Sequence, residues 1–570
     1  MNRQALHPLL TPLARKAESG EVDRREFLRI AALLGCHVAL PAAASAQAPL
    51  AGDTAQTRLP FPPDDPAAKS GGILRVAMPV QKMHDPATYA WAEMSNQTRH
   101  IIEYLTITGP DNITRPMLAE RWQASGDLRT WTFHLRRNIR WHNGDVFTAR
   151  DVAWNIRRWL DSRLGSSNIA LSTFSAMLEE VPAGRKTGNK RARPAKRIAA
   201  NAIEIIDAYT IRLNLTRPVL SVPEDFYAYP TAILHPSFKP PFWKNPVGTG
   251  PFALKQLAVA SKCILQRARD VSGTPLPYWG GKVYLDEIHY YHYDQDNQLA
   301  ALATGEVDAI YAFNAEQMEF AKSIDGVISS APTGRTLCCR MRLDRKPFDN
   351  KKLRQALALA TDSEAIRTLV FPNGGIRGEN HHVAPLHPEY FPLPKQQRDA
   401  AAARRLLREA GYPNGLTLTI SVGNTDGPWQ QAICEALRDQ WKEAGIQLNI
   451  SLVPASKYWN IWKQATFGAT AWLHRPLGTM SLSLAYRAAS PWNETRFDDP
   501  QFERLLNDAE AVADPRRRKL KMEAVEKRLQ DAAIMIQPVW RPEYTMTSRR
   551  VRGYNAHPSQ YHQFNKVWLA

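Results

Sequence analysis

Two stretches in the second half of the chain restrict the fold more than any other feature. Residues 400–410 and 429–444 are amphipathic, each stops at a glycine (Gly411, Gly445), and each leads into a short strand-like segment, 416–422 and 447–453. A glycine just past a helix supplies the left-handed residue that closes it. Helices alternating with strands through crossover connections make a sheet covered by helices. The rest of the chain keeps to this pattern. Gly71-Gly72 precedes a strand-like run at 73–77, and 93–105 has helical spacing at Met94, Ile101, Ile102 and Leu105. Residues 130–135 alternate like a half-buried strand. Thr148 is placed to cap a helix running through Trp159, with Asp151 in its first turn. Segments 202–206 and 210–215 flank the turn Asp207-Ala208-Tyr209, and 298–304 and 353–361 are further helices. No repeat of 20–50 residues occurs, so a solenoid is excluded. The expected fold class is α/β.

A net charge of +18 raises the question of an anionic partner. The basic residues are spread out, however, and no zinc-finger, RNP or basic-zipper pattern accompanies them, so nucleic acid is not the expected partner. The densest run, 185–197, holds glycine and proline without apolar periodicity and reads as a solvated loop; a secreted polyanion-binding protein is the reading that would use it. The five cysteines include Cys36, Cys263, Cys338, Cys339 and Cys434 and show no metal-finger spacing. Their disulfide state is open, although the adjacent Cys338 and Cys339 rarely bridge without strain.

The first 46 residues set the compartment. Arg24-Arg25-Glu26-Phe27-Leu28 precedes a mildly apolar run from Ile30 to Leu40 and an Ala44-Ser45-Ala46 site, which resembles a twin-arginine export signal. The run is too short to span a bilayer core of ~30 Å. Leu33-Leu34-Gly35-Cys36 also looks like a lipoprotein box, so a lipid anchor at Cys36 is the alternative. Residues 47–70, rich in Ala, Pro and Asp, read as a tether.

Five segments then occur in order: Met117-Leu118-Ala119-Glu120-Arg121-Trp122 running on through Trp131–Arg136 and Trp141-His142-Asn143-Gly144-Asp145; Val247-Gly248-Thr249-Gly250-Pro251-Phe252; Leu302 with Gly305-Glu306-Val307-Asp308; Pro347-Phe348-Asp349 with Leu353-Arg354-Gln355; and the 401–415 helix stop. Together they resemble the extracellular solute-binding proteins of ABC importers, family 5, of the peptide/nickel/opine type. The glycines of the second segment suit a close backbone approach. Asp145 and Asp151 read as turn and cap residues, and no nucleophile elbow, phosphate loop or zinc motif is present, so neither catalysis nor a cofactor is expected.

The resemblance implies a two-lobed, hinged periplasmic-binding-protein fold with an additional α/β domain inserted in the first lobe. Lobe I would comprise 71–103, 233–311 and 535–570, the additional domain 104–232, and lobe II 312–534. It further implies a periplasmic monomer that captures a peptide or peptide-like solute and delivers it to an inner-membrane ABC permease and its ATPase. Family members that bind free peptides place an aspartate after an aromatic strand end; here Trp472 is followed by His474 and Arg475. Arg342 stands where the strand before Pro347-Phe348 presents Asn in the family. Trp472, His474, Arg475, Arg342, Asn314 and Tyr89 are therefore the candidate ligand-binding residues. A guanidinium suits a carboxylate or phosphate, which favours an anionic, opine-type or amine-blocked cargo. His381, His382 and His387 are weak candidates for holding a nickel complex, or are simply a polar surface loop.

Overall fold

The computed structural model describes residues 61–181, 195–488, 490 and 492–570. The expected signal peptide, Cys36, most of the tether and the basic run to residue 194 lie outside them.

In chain order, the elements that position the site begin with strand β1 (Ile73–Ala77) and helix α1 (Ala92–Thr98). A second group holds β2 (Ala119–Ala124), β3 (Thr130–Leu135), α2 (Ala149–Trp159), β4 (Ile203–Asp207) and β5 (Thr210–Asn214). Then come β6 (Phe252–Ala258), β7 (Lys262–Arg267), β8 (Glu287–Tyr291), β9 (Ala309–Ile310) and the long β10 (Val327–Met341). The last third contributes α3 (Lys351–Leu359), α4 (Ala400–Glu409), β11 (Leu416–Val422), α5 (Trp429–Lys442), β12 (Ile446–Leu452) and β13 (Phe467–Trp472). The chain closes with α6 (Pro515–Ala532) and β14 (Val539–Thr547).

Helices α4 and α5 stop as expected: Gly411 and Gly445 lie at φ +93° and +82°, where an L side chain would be strained. At the start of α2 the Asp151 carboxylate accepts the Thr148 N–H at 2.8 Å, and Asp145 accepts from Asn143 at 2.8 Å, so both acids serve local turns. The Gly-Thr-Gly-Pro segment is a close approach. A Cβ on Gly248 would lie 1.7 Å from the Ile101 carbonyl oxygen, and one on Gly250 2.4 Å from that of His100. Strand β3 is more buried than a half-exposed strand, since Trp131, Phe133 and Leu135 sit in an aromatic core with Trp141, Trp159 and Phe226. That core and the sheet β2-β3-β5-β4 make up the additional domain.

A single 12-stranded sheet runs through both lobes in the order β6-β7-β8-β1-β9-β14-β10-β13-β11-β12, with two short strands off this path. β1 is parallel to β8 and β9, and β11 is parallel to β12 and β13. Between these halves stand β14 and β10, antiparallel to each other. Val327–Ala331 pairs with Glu543–Thr547 on the lobe I side, whereas Arg335 and Thr336 pair with Arg541 and Trp540 on the lobe II side. The two strands are thus the crossings between lobes.

The segments beside the crossings pair with one half or the other. Phe313 bridges Tyr544, and Met318 and Ala321 pack with Val307, Ile310 and Met546. Met535-Ile536 instead pairs with Arg340-Cys339 of lobe II. The β10–β14 ladder is interrupted between Ala331 and Arg335, opposite Glu543 and Arg541. Cys263, Cys338, Cys339 and Cys434 are buried and carry no disulfide. Among the described residues, no helix is long and apolar enough to cross a membrane.

Candidate functional site

Strand direction brings the loops of both lobes to one seam. β13 runs toward Trp472, which is opposite Thr336 on β10. β9 runs toward Phe313, which is opposite Tyr544 on β14. The carboxyl ends of the parallel strands in each half therefore point at the crossings. In open α/β sheets that edge is where ligands bind.

Four charged side chains meet at the seam, three from the crossings and one from a loop. Arg335 donates to Asp426 at 2.6 Å and to Glu543 at 2.8 Å, and Arg541 lies 3.4 Å from the same two acids. Asp426 arrives on the loop after β11. Gln560 occupies the other Glu543 oxygen at 2.7 Å and accepts from the Tyr311 hydroxyl at 3.1 Å. Two guanidiniums thus face two carboxylates, each pair in hydrogen-bond contact, so burying the quartet leaves no net charge. Glu93, in the first turn of α1, is half-buried beside them. Burial pushes its carboxyl up, its own backbone N–H and the charge of Arg335 lower it, and the charge of Glu543 raises it. Tyr311 in turn is raised by burial and by the Glu93 charge.

Lobe II touches the additional domain through His474. The Gly334 N–H donates to His474 Nδ1 (3.0 Å), and His474 Nε2 donates to Asn112 Oδ1 (3.1 Å). Asn112 Nδ2 returns a bond to the Pro476 carbonyl at 2.9 Å. Burial holds His474 well below the usual imidazole range, so it is a neutral bridge. Arg475 beside it is half-buried, and its guanidinium has no hydrogen-bond or ion-pair partner among the described residues. It faces the additional domain, where its charge acts on Asp225 and Tyr229.

Residues 114–489 match bacterial extracellular solute-binding proteins, family 5 (middle region), which is more than half of the chain. The chain belongs to this family. Among the relatives of this family 5 protein, the periplasmic oligopeptide-binding protein OppA of Salmonella typhimurium is 25% identical over 500 residues, covering 82% of this chain and 86% of that protein. Heme-binding protein A of Haemophilus influenzae is 26% identical over 488 residues, covering 79% and 83%. The solved structure of the periplasmic binding protein DppA from Helicobacter pylori in complex with the peptide STSA superposes with a TM-score of 0.68 at 22% identity, covering 88% of this chain and 98% of that one. At that identity the likeness shows the fold, which is the two-lobed one.

Within this family 5 fold the six candidate residues do not come together. Trp472 is at the seam but turns inward: its indole donates to Glu494 at 3.0 Å and packs on His382 and Trp492. Arg342 lies beyond Met341, at the opposite end of β13 from Trp472, and is held by Asp344 and the Lys463 carbonyl. Asn314 follows β9 but is engaged locally with Gln295 and Gln317. Tyr89 is fully buried against His84. Register puts Arg342 at the far end of β13 from Trp472, and burial closes Tyr89 off from solvent.

The histidine loop is interior rather than surface. His381 meets Glu379 (3.1 Å), His382 meets the Tyr486 hydroxyl (2.8 Å), and His387 donates to the Arg475 carbonyl (3.0 Å). The three rings answer to three separate partners, and no three metal-ligating side chains group together among the described residues. Sequence reasoning missed Arg335, Arg541, Asp426, Glu543, Asn112 and Glu93. One signal was legible: Arg541 and Glu543 interrupt an otherwise apolar strand near the C-terminus, and charges in a buried strand are kept only where they are paired.

Proposed function

We propose that this protein is the periplasmic receptor of an ABC importer. It captures a peptide or peptide-like solute in the seam between its lobes and delivers it to the permease and its ATPase. The observation that carries this reading is the seam itself: two half-sheets present their carboxyl edges to each other, joined by two crossing strands and the His474–Asn112 bridge. A pair of narrow crossings suits hinge closure around a ligand. Family membership supports the receptor role, and the names of the relatives, oligopeptide-binding and heme-binding, support a cargo larger than a single amino acid. Arg475 is the group that receives a cargo carboxylate, as a bidentate donor. The protein acts as a binder and is exported as a monomer through the twin-arginine pathway.

The test is a thermal-shift and calorimetric screen of the protein lacking residues 1–46 against peptides, N-acylated peptides, opine-type conjugates, heme and nickel. A ligand at a hundredfold excess over Kd stabilises by ~2.7 kcal/mol. Stabilisation by peptides supports the reading, and stabilisation by heme or nickel alone refutes the cargo. For the route, Arg24→Lys with Arg25→Lys should retain the protein in the cytoplasm; unchanged periplasmic recovery refutes twin-arginine export. A second reading, an amine-blocked anionic cargo, is favoured by the absence of a carboxylate at positions 474 and 475.

A further inference from the structure

An indole left in water is costly, because it carries more apolar area than almost any other side chain. Lobe II nevertheless keeps two of them at its surface. From Trp472 at the end of β13 a ladder of rings runs outward. Trp472 meets Trp492 at 6.0 Å between centroids, Trp492 meets Trp462 at 6.3 Å, and Trp462 meets Trp459 at 5.8 Å. The innermost ring is 7% exposed, whereas Trp492 and Trp459 are 39% and 47% exposed.

Both outer rings are held where they are. Asn493, Glu494 and Thr495, directly after Trp492, are buried, and Asn493 Nδ2 donates to the Phe497 carbonyl at 2.8 Å. Trp459 sits on a short helix, Ala455–Ile461, whose Tyr458 is fully buried with its hydroxyl 3.1 Å from that of Thr470. A segment pinned by its inward residues keeps the outward ring in solvent. The indole N–H groups of Trp459, Trp462 and Trp492 have no acceptor among the described residues, unlike that of Trp472, which donates to Glu494. Cations edge the ladder. Lys463 Nζ lies 5.5 Å from the Trp462 ring centroid, Arg345 donates to the neighbouring Gln464 carbonyl at 3.4 Å, and Lys457 is exposed on the short helix. None of these three has an ion-pair partner among the described residues, and Asp344, beside Arg345, is held by Arg342 at 2.8 Å.

We propose that this face of lobe II is a docking surface for an anionic phospholipid bilayer. Indoles with free N–H groups, flanked by long basic side chains, suit a membrane–water interface. The ring enters the acyl boundary, its N–H keeps a polar partner, and the cation meets the headgroup phosphate. A protein partner would also accept exposed indoles. The unpaired cations around them, in a chain of net charge +18, complement lipid phosphate and decide for the bilayer. Docking holds the receptor reversibly at the membrane through lobe II, whatever cargo the seam carries, and needs no covalent lipid.

The experiment takes the protein lacking residues 1–46, which removes any lipid anchor at Cys36. It is sedimented with vesicles of phosphatidylcholine alone, or of phosphatidylglycerol and phosphatidylcholine in equal parts. The protein should pellet with the anionic vesicles, and brominated acyl chains should quench its tryptophan emission. Trp459→Ser with Trp492→Ser should weaken this partitioning by about tenfold to a hundredfold, as the loss of two interfacial rings implies. Lys463→Gln with Arg345→Gln should weaken it by about tenfold on the anionic vesicles alone. Trp91→Ser removes a ring that is 60% exposed on lobe I and should change nothing. Partitioning that survives Trp459→Ser with Trp492→Ser marks general attraction of a basic protein and overturns the inference, as does an equal loss in Trp91→Ser. Failure to bind protein-free vesicles of either composition also overturns it and assigns the face to a protein partner. Thermal melts report the folding of each variant, and the lysine–arginine pair carries the test if the serine pair unfolds. The receptor reading stands or falls separately, on the cargo screen.

Discussion

Replacing Glu494 with leucine strands a positive charge in the interior of lobe II. Arg340 Nε donates to Glu494 Oε2 at 2.7 Å, with the two side chains only 1% and 3% exposed. The same carboxylate accepts from Trp472 Nε1 at 3.0 Å and from the Thr470 hydroxyl at 2.8 Å. Removing it leaves a guanidinium that cannot shed its proton and an indole without an acceptor. Breaking a buried pair from one side costs about 3–5 kcal/mol. For a unit of roughly 150–250 residues, at about 2–4 °C per kcal/mol, the melting temperature should fall by roughly 6–20 °C. Arg340→Met should cost less, because the acid left behind keeps two donors and can take up a proton. The double variant Arg340→Met with Glu494→Leu removes both charges and should regain most of the loss, since buried pairs exchange for apolar groups at little net cost. Urea unfolding followed by tryptophan fluorescence measures all four proteins, and the cycle should give a coupling energy above about 1 kcal/mol. A Glu494→Leu variant within about 1 kcal/mol of wild type refutes the reasoning, and so does a double variant no more stable than Glu494→Leu.

Asn112→Ala removes the acceptor of His474 and the donor to Pro476, so the free protein should open; a larger radius of gyration in X-ray scattering, with ligand affinity reduced about tenfold, checks it. Burial lowers His381 and His382 to about 3 and His387 and His557 to about 4. Their unfolded value near 6.5 is higher, so this stability is complete above about pH 6.5 and erodes as pH falls below it, by at most ~1.4 kcal/mol per histidine per pH unit. Melts from pH 7 to pH 5 should show the decline, and a flat profile contradicts it. Glu526 runs the other way: burial pushes it up to about 9, so its protonated form is the folded one and stability is lost as pH rises from about 4.5 through 9. Glu526→Gln should therefore raise the melting temperature at pH 8 and leave it unchanged at pH 4.5. Gly248→Ala drives a methyl group into the Ile101 carbonyl and should destabilise by about 2–4 kcal/mol in denaturant melts, with an unaltered melt counting against the close approach.

Local chemistry was readable from the sequence, and long-range register was not. The glycine stops of α4 and α5, the cap at Thr148 and the close-packed glycines at 248 and 250 depend on neighbours within a few residues or on the lack of a side chain. The loop holding His474 and Arg475 was found because a strand end carries its own signature. The position of Arg342 was not legible because a 15-residue strand offers many registers, and only the pairing of Thr336 with Trp472 decides which end of it faces the seam. The buried histidines illustrate the same limit. A run of polar residues between glycine and proline looks like surface until Tyr486, 104 residues away from His382, supplies the partner that allows burial.

The position of β14 has a consequence for how the chain is made. This strand follows every other long strand of the sheet in the chain, yet it stands in the middle, between β9 and β10. While the ribosome is still short of residue 539, both half-sheets lack their central neighbour and present bare backbone edges, the feature that invites pairing with other chains. Neither lobe can be finished ahead of the other, because the same strand completes both ladders. The nascent chain is therefore exposed to misassembly until β14 has been translated and paired with both neighbours.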